Sequence, residues 1–189
     1  MNDKDKKIMD RIKQDYDMLV EKGHEIVGVF LQGSQNYQLD HEQSDIDTKA
    51  IIIPTFNDFL FGKKMKSSTI ELPITKEHVD YKDIRLMFQN FKKQNINFVE
   101  ILFTKYYYIN PKYRDLFQPM FDNRERIARY DVYKTLSTIT GMAYEKRKAL
   151  THPYPAKKDI IEEFGMDGKQ LHHIMRLYEF MVRYLFGEK

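Results

Sequence analysis

Two short apolar runs stand out from an otherwise amphipathic chain: Ile26-Val27-Gly28-Val29-Phe30-Leu31 and Ala50-Ile51-Ile52-Ile53. Both are β-branched and end at breakers, Gly33 after the first and Pro54 after the second. This predicts buried strands over 25–31 and 45–53. Before the first strand, Ile8, Ile12, Met18 and Leu19 share one face of a helix over 5–21, stopped at Gly23. After the second, Phe56, Phe59, Leu60 and Phe61 fall in a short helix or packed loop ended at Gly62, and strands follow over 67–74 and 77–81. A helix over 83–94 is N-capped by Asp83 and turns Ile84, Met87, Phe88 and Phe91 inward.

The second half reads as largely helical. Residues 98–103 are apolar apart from Glu100, read as a structural acid. Residues 106–113 form an aromatic loop, read as packing rather than as a platform for single-stranded nucleic acid. A short helix over 116–124 is interrupted near Pro119. A long one over 131–150 buries Val132, Leu136, Ile139, Ala143 and Tyr144, with Gly141 marking a close approach. A proline-bearing linker over 151–158 and a short helix over 159–164 lead to the last helix, over 168–186.

Chemistry concentrates in residues 33–47, GSQNYQLDHEQSDID. Gly33-Ser34 lies where the first strand ends, and Asp45 and Asp47 lie where the second begins. Alternation along a strand turns both carboxylates to one side and Ile46 to the core. Paired carboxylates of this kind suit Mg²⁺ or Mn²⁺, which then carries phosphate. The turn over 35–39 starts a short helix whose free N–H groups face the anion. An EF-hand is excluded, because no Gly stands at the sixth loop position and no Glu closes the twelfth.

Composition narrows the classes further. With 189 residues, 42% of them hydrophobic, the chain can hold one α/β domain with a helical appendage. Cysteine is absent, which removes disulfides, thiolate metal sites and thiol catalysis. The charged N-terminus lacks the apolar stretch of a signal peptide, and no run has the roughly 20 apolar residues of a membrane span. A cytoplasmic location and no membrane partner are expected. A net charge of +3 permits a nucleic-acid partner without arguing for one.

The Gly-Ser, the linker Tyr37-x-Leu39, Ser44 and the Asp45-x-Asp47 together resemble the nucleotidyltransferases of the DNA polymerase β superfamily. Asn95-x-Asn97 followed by Phe98-Val99-Glu100-Ile101-Leu102-Phe103 is similar to the RNA-repair-pathway group of that superfamily, with Ile96 where proline is typical. Lys169, His173 and Arg176 match the group's Lys-x-x-x-His-x-x-Arg-Leu and share one helical face. The resemblance covers about residues 25–177 and is sharp in two stretches.

It implies an α/β (α+β) nucleotidyltransferase fold: a small mixed twisted sheet flanked by helices over 1–104, and a helical substrate-binding lobe over 105–189. It implies transfer of a nucleoside monophosphate from an NTP to a hydroxyl, with Mg²⁺ or Mn²⁺ on Asp45 and Asp47. A third carboxylate, ligand and general base, is assigned to Asp80 on the neighbouring strand. Gly33 and Ser34 would hold phosphate, and Lys169, His173 and Arg176 the nucleotide. An RNA or tRNA end is the expected acceptor, with a protein acceptor or a non-catalytic nucleotide sensor as alternatives. Base preference and oligomeric state stay open.

Overall fold

The computed structural model describes residues 2–37, 39–40, 44–73 and 75–187. It is a mixed α/β structure in two compact units, one of residues 1–92 and 97–130, the other of residues 93–96 and 131–189. The division therefore falls after Tyr130 rather than at the expected 104/105, because the segment after residue 104 returns to the sheet.

In the first unit, α1 (Asp3–Glu21) leads into β1 (Glu25–Gln32), then β2 (Asp47–Ile53), the short α2 (Phe56–Leu60), β3 (Ser67–Glu71) and β4 (His78–Asp83). Next come α3 (Ile84–Lys92), α4 (Ile96–Val99), β5 (Tyr107–Ile109), α5 (Arg114–Asp122) and α6 (Arg124–Ala128). The sheet has five strands in the order β3-β4-β2-β1-β5. β2 and β4 run parallel, and the other three pairings are antiparallel.

Both faces of the central strands are covered, which is why their apolar runs do not alternate with polar residues. On one face Ile8, Ile12 and Leu19 of α1 pack on Ile26, Val29, Leu31, Ala50, Ile52 and Val79. On the other, Val27, Phe30 and Ile51 meet Met87, Phe91, Phe98, Val99, Leu102 and Phe117. The pleat of β1 slips by one residue between Ile26 and Gly28, where the pairing with β2 shifts register. Val27 and Phe30, three apart, therefore share a face.

Several expectations change. The aromatic loop over 106–113 contains β5, which pairs with Gly28, Val29 and Phe30. Three residues are too few for a period of two to show. Its aromatic residues do pack: Tyr108 lies edge-on to Tyr16 at 4.8 Å, and Tyr107 meets Phe121 at 4.9 Å. Pro119 lies inside α5 without ending it, since Phe117 and Phe121 on either side anchor the helix, their rings 5.2 Å apart. Phe88 is exposed, because Met87 and Phe91 define the buried stripe of α3. β2 starts at Asp47 rather than Asp45, since its partner β1 ends at Gln32. β3 ends at Glu71 rather than reaching 74, where the chain turns toward β4 through Leu72 and Pro73; Ile74 and residues 41–43, in the middle of the linking loop, lie outside the described residues.

The second unit pairs α7 (Val132–Leu150) with α9 (Gly168–Phe186), linked through α8 (Lys158–Phe164). The hydroxyl of Tyr184 lies 3.1 Å from that of Thr135, which lies 3.2 Å from Oε1 of Gln94. Ile139 and Leu177 are buried. Val132 and Tyr144, expected inside, are exposed. Gly141 faces open space rather than a close neighbour. Among the described residues no helix is long and apolar enough to cross a membrane.

Gly28 sits where β5 packs closely on β1. A Cβ there would stand 2.6 Å from Ile109 Cδ1 and 2.8 Å from the Tyr108 carbonyl oxygen. Backbone at that distance cannot step aside, so Gly28→Ala is expected to destabilise the fold by about 1–3 kcal/mol. A urea melt with a lowered midpoint and an unchanged slope would show this.

Candidate active site

The ladder places the two informative ends side by side. Gln32, the last residue of β1, pairs with Asp47, the first of β2. Gly33 follows in a left-handed conformation, φ +79°, and a Cβ on it would lie 3.9 Å from Asp47 Oδ2. A glycine suits this turn because other residues rarely adopt that φ. Ser34–Tyr37 then form one 3₁₀ turn. The turn is tied to the segment before Asp45 by Gln35, whose side-chain N–H donates to the Ser44 carbonyl at 3.2 Å.

Asp45 is exposed, Ile46 is buried and Asp47 is half-buried. That is the alternation expected of two carboxylates on one side of an extended segment. Asp47 Oδ1 accepts the backbone N–H of His78 at 3.0 Å, and His78 Nδ1 lies 3.6 Å away. This joins the start of β2 to the start of β4.

Asp80 lies further along. It pairs with Lys49 across the parallel ladder, so Asp47, Lys49, His78, Asp80 and Lys82 share a face. Its carboxylate accepts from the Thr69 hydroxyl and lies 3.7 Å from Lys82 Nζ. Among the described residues, no three His, Asp or Glu side chains are gathered to hold a metal ion. The all-oxygen donor set of Asp45 and Asp47, with Oδ2 of Asp47 on the glycine side, fits a hard divalent cation. The structure does not bring Asp80 into that set.

Between the two acids sits a residue the sequence reading passed over. Lys49 is 3% exposed, donates through Nζ to the Asn97 carbonyl, and lies 4.6 Å over the Phe98 ring. Burial lowers its ammonium to about 8, with Asp80 pulling the other way. The signal was present, since a lysine two residues past Asp47 in an apolar strand must point the same way as Asp47 and has no water to snorkel into.

Two of the three stretches that carry the family resemblance, 33–47 and 95–103, are joined here: Tyr37, in the Gly-Ser turn, donates its hydroxyl to Glu100. Lys49, two residues past Asp47, reaches the Asn97 carbonyl.

Lys169, His173 and Arg176 belong to the second unit, on α9. Asp167, 3% exposed, caps this helix by accepting the Lys169 N–H at 2.9 Å. Burial lowers the His173 imidazole to about 4, and Lys146 of α7, Arg176, Lys169 and His172 add to the effect. Lys146 thereby joins the predicted three as a cation facing His173.

The folded state keeps His173 neutral down to about pH 4, whereas the unfolded chain takes up that proton near 6.5. Protonation therefore favours unfolding as pH falls through this window, and the stability tied to the neutral ring is lost. His173→Gln is expected to lose less stability than wild type between pH 6.5 and 4, read from paired thermal melts. No known protein-family model matches the chain, and no curated protein matches it either.

Proposed function

We propose that this protein is a metal-dependent nucleotidyltransferase, resembling the RNA-repair-pathway group of the DNA polymerase β superfamily. It would move a nucleoside monophosphate from an NTP to a hydroxyl, an RNA end being the favoured acceptor, and release pyrophosphate. The observation that carries this reading is Gly33 lying against the carboxylate of Asp47 at paired strand ends. In this reading the turn that would take phosphate lies beside a carboxylate that would take the cation. The meeting of Tyr37 with Glu100 and of Lys49 with Asn97 supports it.

In this reading Gly33 lets the triphosphate approach the backbone without a Cβ in the way. The Ser34 hydroxyl and the N–H groups of the turn donate to phosphate oxygens. Asp45 and Asp47 would hold Mg²⁺ or Mn²⁺, which would supply positive charge to the triphosphate and the attacking hydroxyl. Asp80 serves the acceptor side, its carboxylate taking the proton of the attacking hydroxyl. The new bond joins that oxygen to the α-phosphorus, and the α–β bridging bond breaks. Lys49 balances charge on the face it shares with both acids. The resemblance also assigns nucleotide binding to Lys169, His173 and Arg176 of the second unit, two cations and an imidazole that is neutral at pH 7.

Each α-³²P-labelled NTP, with Mg²⁺ or Mn²⁺, total RNA and cell protein, tests the reading. Label on RNA is expected. Asp45→Ala and Asp47→Ala should each remove several kcal/mol of transition-state stabilisation, about a thousand-fold in rate. Label on a polypeptide would instead favour nucleotidylation of a protein partner. NTP binding with no label anywhere would favour a sensor, and turnover by Asp47→Ala at the wild-type rate would sink the mechanism.

A further inference from the structure

On the face of the sheet away from Lys49, α1 carries charge into the core. Arg11 is 5% exposed and Asp15 1%. Nε of Arg11 lies 3.0 and 2.9 Å from the two carboxylate oxygens of Asp15, and Nη1 donates to Glu77. Each acid then reaches the segment that carries the paired carboxylates. Glu77 Oε1 accepts the backbone N–H of Ile46 at 3.0 Å. Asp15 Oδ2 accepts the Thr48 hydroxyl at 2.6 Å. Ile46 and Thr48 are the two neighbours of Asp47.

The arrangement is expensive for what it contributes to stability. Buried charges lose hydration that their attraction repays only in part, and apolar side chains of similar volume often stabilise as well or better. Arg11 Nη2 is buried without a hydrogen-bond partner among the described residues, which adds the cost of an unsatisfied buried donor. The position explains what the charges do. The ladder begins at Asp47, so Asp45 and Ile46 lie ahead of it. Glu77 supplies the hydrogen bond that fixes the Ile46 N–H there. The next residue, His78, gives its own N–H to Asp47. Consecutive residues thus hold the backbone before Asp47 and the Asp47 carboxylate itself.

We infer that Arg11, Asp15 and Glu77 are positioning residues, a charged clamp that fixes the chain on both sides of Asp47 and so presents Asp45 and Asp47 to a divalent cation. The inference rests on the nucleotidyltransferase reading and names residues that touch neither metal nor nucleotide. Outer partners of this kind typically change metal affinity by about 10- to 100-fold when removed.

Mn²⁺ alone is the probe, with binding to the full chain followed by the electron paramagnetic resonance of the free ion and folding by thermal melts. Wild type should bind Mn²⁺, and Asp47→Ala should abolish binding. Glu77→Ala should weaken it about tenfold. Glu77→Gln, which keeps an oxygen for the Ile46 N–H, should recover most of that loss. A residue that only stabilised the fold would move the melting temperature without this pattern in affinity. If Glu77→Ala does not fold, Thr48→Val reports in its place, removing the hydroxyl that meets Asp15 at nearly constant volume, and weaker binding is again expected. Folded Glu77→Ala or Thr48→Val binding Mn²⁺ like wild type would overturn the clamp. A wild type with no Asp47-dependent Mn²⁺ binding would overturn the functional reading, and the clamp with it.

Discussion

The antiparallel register between β1 and β2 is what the site depends on. It sets Gln32 opposite Asp47, so that the chain leaving β1 must turn at Gly33 directly beside the carboxylate that opens β2. A slip of one residue would turn Asp47 and Lys49 toward α1 and bring Ile46 and Thr48 to the opposite face, because side chains alternate with period two. Such a slip would also push Ile51 out of one core and Ala50 and Ile52 out of the other. The apolar residues that hold the sheet between its two helical layers therefore also hold the candidate site in phase.

That phase has a consequence for charge. Asp47, Lys49, Asp80 and Lys82 lie on one face, so each acid shares its face with a cation. Asp80 has Lys82 at 3.7 Å and feels Lys49. It is consequently no member of a carboxylate cluster, in which like charges would repel until a metal bound. Asp45 and Asp47 lie just before and at the start of β2, away from that pairing with lysine.

Long periodic segments were legible in the sequence, and so was the site's outline. Ile8, Ile12 and Leu19 identified the buried side of α1, and the paired apolar runs identified β1 and β2, because burial on both faces leaves a composition that few other structures tolerate. β5 was missed because its three residues carry no period, and Gly141 was misread because a glycine in a helix does not reveal whether anything approaches it. Gly33 and Asp47 could be paired from local sequence, since a turn joins their strands. Lys49 with Asn97 and Arg11 with Glu77 could not, since 48 and 66 residues separate them and side-chain partners at that range are set by tertiary packing. Arg11 and Asp15 are charged residues of an amphipathic helix, a type that usually faces water, and only the structure shows that they are inside.

The two faces of β2 divide the labour that a rigid site requires. On one, Asp47 lies beside the Gly-Ser turn and Lys49 reaches the Asn97 carbonyl. On the other, Thr48 is held by Asp15 of α1 and the Ile46 N–H by Glu77, just ahead of β4. A carboxylate at the very start of a strand would otherwise be where fraying begins, since strand ends have partners on fewer sides. Hydrogen bonds from the far face remove that freedom without occupying the near one, which carries the Asp47 carboxylate. An apolar core behind Asp47 could give comparable burial but no directional bond to the Ile46 N–H. The cost of burying Arg11 and Asp15 is thus the physical counterpart of holding the Asp45–Asp47 segment in one conformation.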